Sequence, residues 1–81
     1  MRLTTRQQAN LGAISKVWPH AFALHEPAAR RIHAASLRVL VRLGLVEELG
    51  YFLNREDAPF GPFHVRATRD GILLADALGL R

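Results

Sequence analysis

The sequence predicts a mainly α-helical domain with a small β-hairpin, an α+β fold with a three-helix core, a hairpin and a C-terminal helix. An apolar pattern with helical spacing runs from Ile32 to Leu43. Two runs of strand-like composition follow it, separated by a loop that contains two prolines and a glycine. Helix-start signals precede both the first and the last helical pattern. With 81 residues the chain forms one domain, residues 1–81.

The first helix is expected to begin near residue 5 and to end near Val17. Two overlapping capping boxes, in which a threonine accepts from a helix N–H and a glutamine reaches back, predict its start: Thr4 with Gln7 and Thr5 with Gln8. Pro19 disfavours helical backbone at the residue before it and so predicts the end. Apolar residues at i, i+3 and i+7 predict one buried stripe: Leu11, Ile14 and Trp18.

The segment after this helix leaves two points open. Residues 20–25 fit a short helix or an extended link, with Phe22 and Leu24 pointing inward. Pro27 suits the first position of a helix. From there either one helix continues to Leu43, or a break near His33 divides the segment in two.

The helical pattern over residues 31–43 separates into two faces when each residue is placed 100° after the last. The apolar face holds Ile32, Ser36, Val39, Leu40 and Leu43. The opposite face has three arginines, two small residues and no acid: Arg31, Ala34, Ala35, Arg38 and Arg42. Because the alanines let the backbone approach a polyanion closely, this face predicts a DNA-reading helix. The alternative is an ordinary surface helix in an arginine-rich protein.

A β-hairpin is predicted after Gly44. In its first strand, over residues 45–54, alternate residues share one mostly apolar face: Leu45, Glu47, Leu49, Tyr51 and Leu53. A turn-rich loop over residues 55–62 leads to a second strand, residues 63–68. In that strand one face holds Phe63, Val65 and Ala67, and the other holds His64, Arg66 and Thr68.

Thr68 is expected to cap a last helix that runs from Arg69 to about Leu78. Asp70 in its first turn suits the helix dipole. The apolar side of this helix is predicted to comprise Ile72, Leu73, Ala75 and Leu78.

Composition limits the classes of function. The formal net charge is +4, and ten of the eleven basic residues are arginine, whose donors suit phosphate and guanine edges. The absence of cysteine excludes a disulfide framework and a cysteine nucleophile. The apolar runs are too short to span a bilayer, and the first residues lack a signal-peptide pattern. We therefore expect a cytoplasmic, nucleoid-associated protein without a membrane partner, or one in the host cytoplasm if it is phage-encoded.

Two motifs resemble the winged helix-turn-helix of MarR-type and related bacterial regulators. Leu37-x-x-Leu40-x-x-x-Gly44-Leu45-Val46-Glu47 is similar to the end of the recognition helix and the start of the wing. Val65-Arg-Ala-Thr68-Arg-Asp-Gly71-Ile-Leu-Leu-Ala75 is similar to the second wing strand running into the next helix. The resemblance covers about residues 32–78. It departs upstream, where the positioning helix is shortened or displaced to residues 27–32.

The resemblance implies a DNA-binding transcriptional regulator that reads DNA with residues 31–43 and supports this helix with the wing, residues 45–68. It also implies a positive φ at Gly44, and Leu37, Leu40 and Leu45 as shared core beneath the wing. Glu56 and Asp57 at the wing tip would repel phosphate, so the wing arms are the better contacts. The predicted DNA-binding residues are Arg30, Arg31, Ala34, Ala35, Arg38, Arg42, Arg55, His64 and Arg66.

Double-stranded DNA is the expected partner, bound by a two-fold homodimer with the last helix and an exposed Leu80 as one dimer surface. The alternative is a winged helix that binds a protein, through the wing tip with Phe60 or through the C-terminal helix.

No enzyme is expected, because no catalytic motif is present. No metal or other cofactor is expected, because the histidine spacing matches no zinc site; His33 is instead expected to be a partly buried structural residue.

Overall fold

A computed structural model describes residues 2–24, 27–53 and 59–81 of the chain. Within them, three α-helices and a three-stranded antiparallel sheet form an α+β fold. The α+β class is as predicted, but a 3₁₀-helix stands in place of one predicted core helix, and a third strand pairs with the hairpin. The elements in chain order are α1 (Thr5–Ser15), β1 (Phe22–Ala23), a 3₁₀-helix (Pro27–Arg31), α2 (Ala34–Arg42), β2 (Val46–Leu53), β3 (Pro59–Ala67) and α3 (Arg69–Ala77). The strand order is β1-β3-β2, so β3 is the central strand.

The first of the two predicted capping boxes starts α1. The Thr4 hydroxyl accepts from the Gln7 N–H at 3.2 Å, and the Gln7 side-chain carbonyl accepts from the Thr4 N–H at 2.9 Å. Each of the two side chains thereby accepts from the backbone N–H of the other residue.

The buried stripe of α1 is confirmed at Leu11 and Ile14, which are fully buried. The predicted core position of Trp18 is wrong, because 40% of this residue is exposed. The helix already ends at Ser15. The turn that follows carries Trp18 out of the helical phase on which the prediction depended.

Between Pro27 and Leu43 the chain is divided, so the second of the two alternatives is correct. His33 has extended backbone (φ −79°, ψ 115°) and caps α2. Arg31 consequently lies in the 3₁₀-helix, which corrects its predicted place on the arginine face of the following helix.

At the centre of α2, the buried side of the helix is the side that the sequence predicts. Ser36 and Leu40 are buried, and Leu37 packs against the core. Leu43, which was expected on the apolar face, is exposed because the helix has ended at Arg42 and Leu43 is its C-cap.

Gly44 turns the chain from α2 into the sheet, as the resemblance implies. Its φ is +76°. The Gly44 N–H donates to the Val41 carbonyl at 3.0 Å, and the Leu45 N–H donates to the Leu40 carbonyl at 3.0 Å. This pair of bonds is a Schellman motif, which a residue with positive φ makes possible.

The two sequence motifs meet at this turn. The Thr68 hydroxyl donates to the Gly44 carbonyl at 2.6 Å, and the Thr68 N–H donates to the Leu45 carbonyl at 3.0 Å. Gly71 packs so closely that a Cβ there would lie 2.0 Å from the Leu45 carbonyl oxygen. A glycine is therefore required three residues after Thr68 for α3 to approach the turn.

The predicted inward face of β2 is wrong by one residue. Val46 pairs with Ala67, and both are buried. Leu45 is buried too, but it belongs to the turn before the strand. Glu47 pairs with Arg66 on the other face. The strand begins at Val46, one residue later than predicted, because Leu45 is still part of the turn. The set of alternate residues that starts with Leu45 and Glu47 is therefore not the core side of β2.

The predicted faces of the second hairpin strand are confirmed from residue 64 onward. Val65 and Ala67 are buried, whereas His64 and Arg66 are half-buried on the opposite face. β3 begins at Pro59, four residues earlier than predicted.

Phe22 pairs with Val65, so residues 22–23 are extended, one of the two alternatives. Residues 54–58, which include the predicted wing tip, lie outside the described residues.

Thr68 caps α3, because its hydroxyl accepts from the Gly71 N–H at 3.1 Å. Ile72 and Ala75 are buried as predicted. Leu73 and Leu78 are not, with 59% and 44% of each exposed. The buried side of α3 is thus narrower than its apolar sequence suggests.

Leu80 is half-buried, which corrects its predicted exposure. Gly79 has a φ of +70°, and the Leu80 N–H donates to the Ala75 carbonyl at 2.8 Å. This second Schellman motif turns Leu80 back onto α1, where a Cβ on Gly12 would lie 3.5 Å from the Leu80 Cβ.

One core joins all three helices to the hairpin. Its buried apolar residues are Leu3, Leu11, Ile14, Leu40, Leu45, Val46, Val65, Ala67, Ile72 and Ala75. Among the described helices none has the length and apolar character needed to cross a membrane.

Candidate nucleic-acid interface

The exposed side of α2 carries the central part of the predicted DNA-binding set. Ala34, Ala35, Arg38 and Arg42 are all exposed. Arg38 and Arg42 lie one helical turn apart, and within the described chain neither guanidinium has an ion-pair partner. Two positive charges on a short helix are therefore available to a negatively charged ligand.

A groove runs along this side of α2, between the helix and β2. Apolar side chains line much of it: Leu24, Leu37 and Val41. Ala34, Arg38, Arg42 and Glu48 complete the lining, and the groove has a volume of about 590 Å³. The two arginines thus flank a concave apolar surface as well as facing solvent.

Arg30 and Arg31 lie in the last turn of the 3₁₀-helix, before the start of α2. Both are exposed. They extend the positive charge beyond the N-terminal end of α2, on a separate helical segment. Contacts with phosphates that flank a base-reading helix suit this position better than contacts with base edges.

The hairpin contributes less free charge than the sequence predicts. The Arg66 Nε donates to the Glu47 carboxylate at 2.8 Å, and the two side chains are each about two-fifths exposed. Arg66 is thus engaged across the strand pair. His64 is half-buried opposite Leu49. The predicted contact Arg55 lies outside the described residues, as do Glu56 and Asp57.

Asn10 is a residue that the sequence analysis did not single out. It is 1% exposed, and its side chain bridges α1 to the start of α2. The Asn10 Nδ2 donates to the His33 carbonyl at 2.8 Å, and its Oδ1 accepts from the His33 N–H at 3.1 Å. The available signal was a polar residue four positions before Ile14, on the buried stripe of α1.

His33 itself is surrounded by hydrogen-bonding groups. Its Nδ1 lies 2.7 Å from the Ser36 hydroxyl and 3.3 Å from the Ser36 backbone nitrogen. Its Nε2 lies 3.1 Å from the Arg6 Nη1. His33 has a structural role at the start of α2, as predicted, although the residue is exposed rather than partly buried.

Among the described residues, no three histidine or acidic side chains come together in a way that could hold a metal ion. Comparison of the chain with family models, curated proteins and solved structures finds no match.

Proposed function

We propose that this chain is a winged-helix DNA-binding protein that regulates transcription, with α2 as the reading helix. The observation that carries the proposal is the exposed face of α2. It presents Arg38 and Arg42 beside Ala34 and Ala35, without an acid on the same face. A guanidinium offers a planar set of donors that matches both phosphate oxygens and the major-groove edge of guanine.

The dimensions of α2 suit this role. Nine residues give a helix about 14 Å long. A helix is about 10–12 Å across with its side chains, so it fits a major groove about 12 Å wide, and residues near the N-terminal end of such a helix commonly contact base edges. Ala34 and Ala35 at that end have side chains small enough for close approach, so Arg38, one turn further on, is our first candidate for a base contact.

The layout of the elements supports a winged helix. α2 leads through Gly44 directly into the antiparallel pair β2–β3, and β3 returns to α3 beside the same turn. The short β1 pairs with β3 on its other side. The departure is the five-residue 3₁₀-helix where a full positioning helix is usual. In its place, Asn10 fixes the start of α2 against α1.

A homodimer is part of the proposal, since one small module binds DNA weakly and a two-fold pair reads two half-sites. The exposed Leu73 and Leu78 of α3 are the candidate dimer residues, and the half-buried Leu80 is not. Light scattering on a size-exclusion column measures the mass directly. A Leu73→Glu variant that stays folded is expected to reduce the dimer fraction.

A protein-binding winged helix is the second candidate function. The groove between α2 and β2 favours it, because its apolar residues Leu24, Leu37 and Val41 have no role in phosphate contact. The same arginines would then pair with acidic side chains of the partner.

Selection of bound sequences from a random duplex pool separates the two candidates. The selected duplex and a scrambled one of equal length are then compared at one salt concentration. For a specific regulator we expect a preference of about a thousandfold or more for the selected duplex. Equal affinity for both duplexes would leave only non-specific attraction and would favour the protein partner.

A further inference from the structure

The junction between α1 and α2 brings three donors to two ring nitrogens of His33. The Arg6 guanidinium, 3.1 Å from Nε2, can only donate. The Ser36 N–H, 3.3 Å from Nδ1, can also only donate. The Ser36 hydroxyl, 2.7 Å from Nδ1, can donate or accept.

A neutral imidazole has one nitrogen that accepts and one that donates. If Nε2 accepts from Arg6, the Nδ1–H donates to the Ser36 hydroxyl. If Nδ1 accepts from the Ser36 N–H, it caps α2 in the manner of other N-cap side chains. Each neutral tautomer therefore satisfies one side of the junction.

A doubly protonated imidazole can still donate from Nδ1–H to the Ser36 hydroxyl, but it satisfies neither of the two groups that need an acceptor, the Arg6 guanidinium and the Ser36 N–H. Both of its nitrogens donate, so it can accept neither from Arg6 nor from the Ser36 N–H. It would also place a positive charge 3.1 Å from the Arg6 guanidinium. The hydrogen bonds of Asn10 go to the His33 backbone and do not depend on this proton.

The described charges around the ring would not offset the positive charge of a protonated imidazole. Of the described residues that line the cleft around it, Arg6 is the only charged one; the others are Thr4, Thr5, Gln7, Ala35, Ser36 and Val39. The first turn of α2 contains no acid, and the 3₁₀-helix before His33 ends in Arg30 and Arg31. An added proton on the ring thus meets the positive charge of Arg6, and no acid among the described residues of the cleft offsets it.

We infer that His33 is a positioning residue that holds the N-terminal end of α2 in place only while its ring is neutral. The consequence for DNA rests on the proposed function of α2. Acid should loosen the reading helix and weaken binding. This direction is opposite to the usual effect of protonating histidines, which adds positive charge and strengthens attraction to DNA.

His33→Asn is the matched variant, because asparagine is a good N-cap that does not titrate in this range. His20, His25 and His64 remain in both proteins, so their protonation cancels in the comparison. From about pH 8 to about pH 5, we expect the ratio of wild-type to His33→Asn affinity for a duplex to fall about three- to tenfold. A flat ratio would overturn the inference, and a rising one would assign the protonated ring to direct phosphate contact.

Hydrogen exchange of the free protein gives a readout that does not need DNA. The Ser36 and Gly71 amides occupy the same position in their helices, but Gly71 is capped by the Thr68 hydroxyl, which does not titrate. We expect the protection of Ser36 relative to Gly71 to fall in acid in the wild type. An unchanged ratio in the wild type would contradict the inference. If no duplex binds but Ser36 loses protection, the proposed function alone fails.

Discussion

Arg38 and Arg42 lie side by side on α2, but a base-reading role and a phosphate role make different demands on them. A base contact needs a fixed approach to one groove edge, whereas a phosphate contact tolerates movement. Arg38 is closer to the N-terminal end of α2, where the small side chains of Ala34 and Ala35 permit close approach. Arg42 is in the last turn and suits the flanking backbone.

Arg38→Ala is therefore expected to weaken DNA binding by about 1–3 kcal/mol and to relax preference at one base position. Lys16→Ala is the control, since it removes the same charge from an exposed position just after α1. Competition titrations with duplexes that differ at single positions measure both effects. Equal losses for the two variants would mean that only net charge matters and that Arg38 reads no base.

Leu40→Ala tests the packing of α2. Leu40 is fully buried, and its truncation should reduce the free energy of unfolding by about 2–5 kcal/mol. Leu43→Ala makes the same chemical change at a residue that is 42% exposed, and we expect less than about 1 kcal/mol there. Denaturant melts of the two variants should differ clearly; similar losses would contradict the assigned faces of the helices.

At single residues, the sequence predicts burial well inside α1 and α2 and poorly past their ends, and it fails at Leu73, which is exposed within α3. Leu11, Ile14 and Leu40 follow the helical phase and are buried. Trp18 and Leu43 do not, because Leu43 is the C-cap of α2 and Trp18 lies beyond the C-cap of α1. Periodicity shows which side of a helix faces the core, but the end of the helix is decided by local hydrogen bonds.

At the level of elements, the contact between α3 and the turn after α2 depends on two glycines with different requirements. Gly44 needs its positive φ but has open space where a Cβ would stand. Gly71 has no such φ, yet a Cβ there would collide with the Leu45 carbonyl. Backbone conformation limits the first position, and close approach limits the second.

Gly71→Ala is consequently expected to cost more stability than Gly44→Ala. A Cβ only 2.0 Å from the Leu45 carbonyl oxygen forces α3 to move, which should cost about 3 kcal/mol or more. Gly44→Ala should cost about 1–2 kcal/mol, the energy of left-handed backbone in a residue with a Cβ. Thermal unfolding of both variants gives the order. The reverse order would show that the turn, and not the approach of α3, limits stability.

The order of helices and strands could be read from the sequence because caps, glycines and apolar periods are local signals. The starts of α1 and α3 follow from Thr4 and Thr68. The break before α2 could not be settled, since it depends on Asn10 binding the backbone of His33, a partner 23 positions away. The ion pair of Arg66 likewise could not be predicted, because it depends on the strand register that places Glu47 opposite Arg66.

For the molecule as a whole, four of the predicted DNA-binding arginines lie on the 3₁₀-helix and along α2. The sequence predicts a positively charged protein, but only the fold shows that Arg30, Arg31, Arg38 and Arg42 are exposed on neighbouring elements while Arg66 is paired. The number of charges that remain available to phosphates is thus smaller than the sequence alone suggests.

This difference can be measured in the salt dependence of DNA binding. Each phosphate neutralised contributes about −0.9 to the slope of log K against log salt. If Arg30, Arg31, Arg38 and Arg42 each meet one phosphate, we expect a slope of about −3 to −4 per protomer, and twice that for a dimer on a full site. If Arg38 reads a base instead, the slope is at the shallow end of this range.

The variant Glu47→Gln provides the decisive comparison. It removes the negative charge that pairs with Arg66 without removing an arginine. If the pair keeps Arg66 from DNA, its release should make the slope steeper by about one per protomer. An unchanged slope would show that Arg66 does not face the DNA at all, which would place the duplex on the α2 side of the molecule alone. A failure of the wild-type protein to bind any duplex at low salt would exclude DNA as the partner.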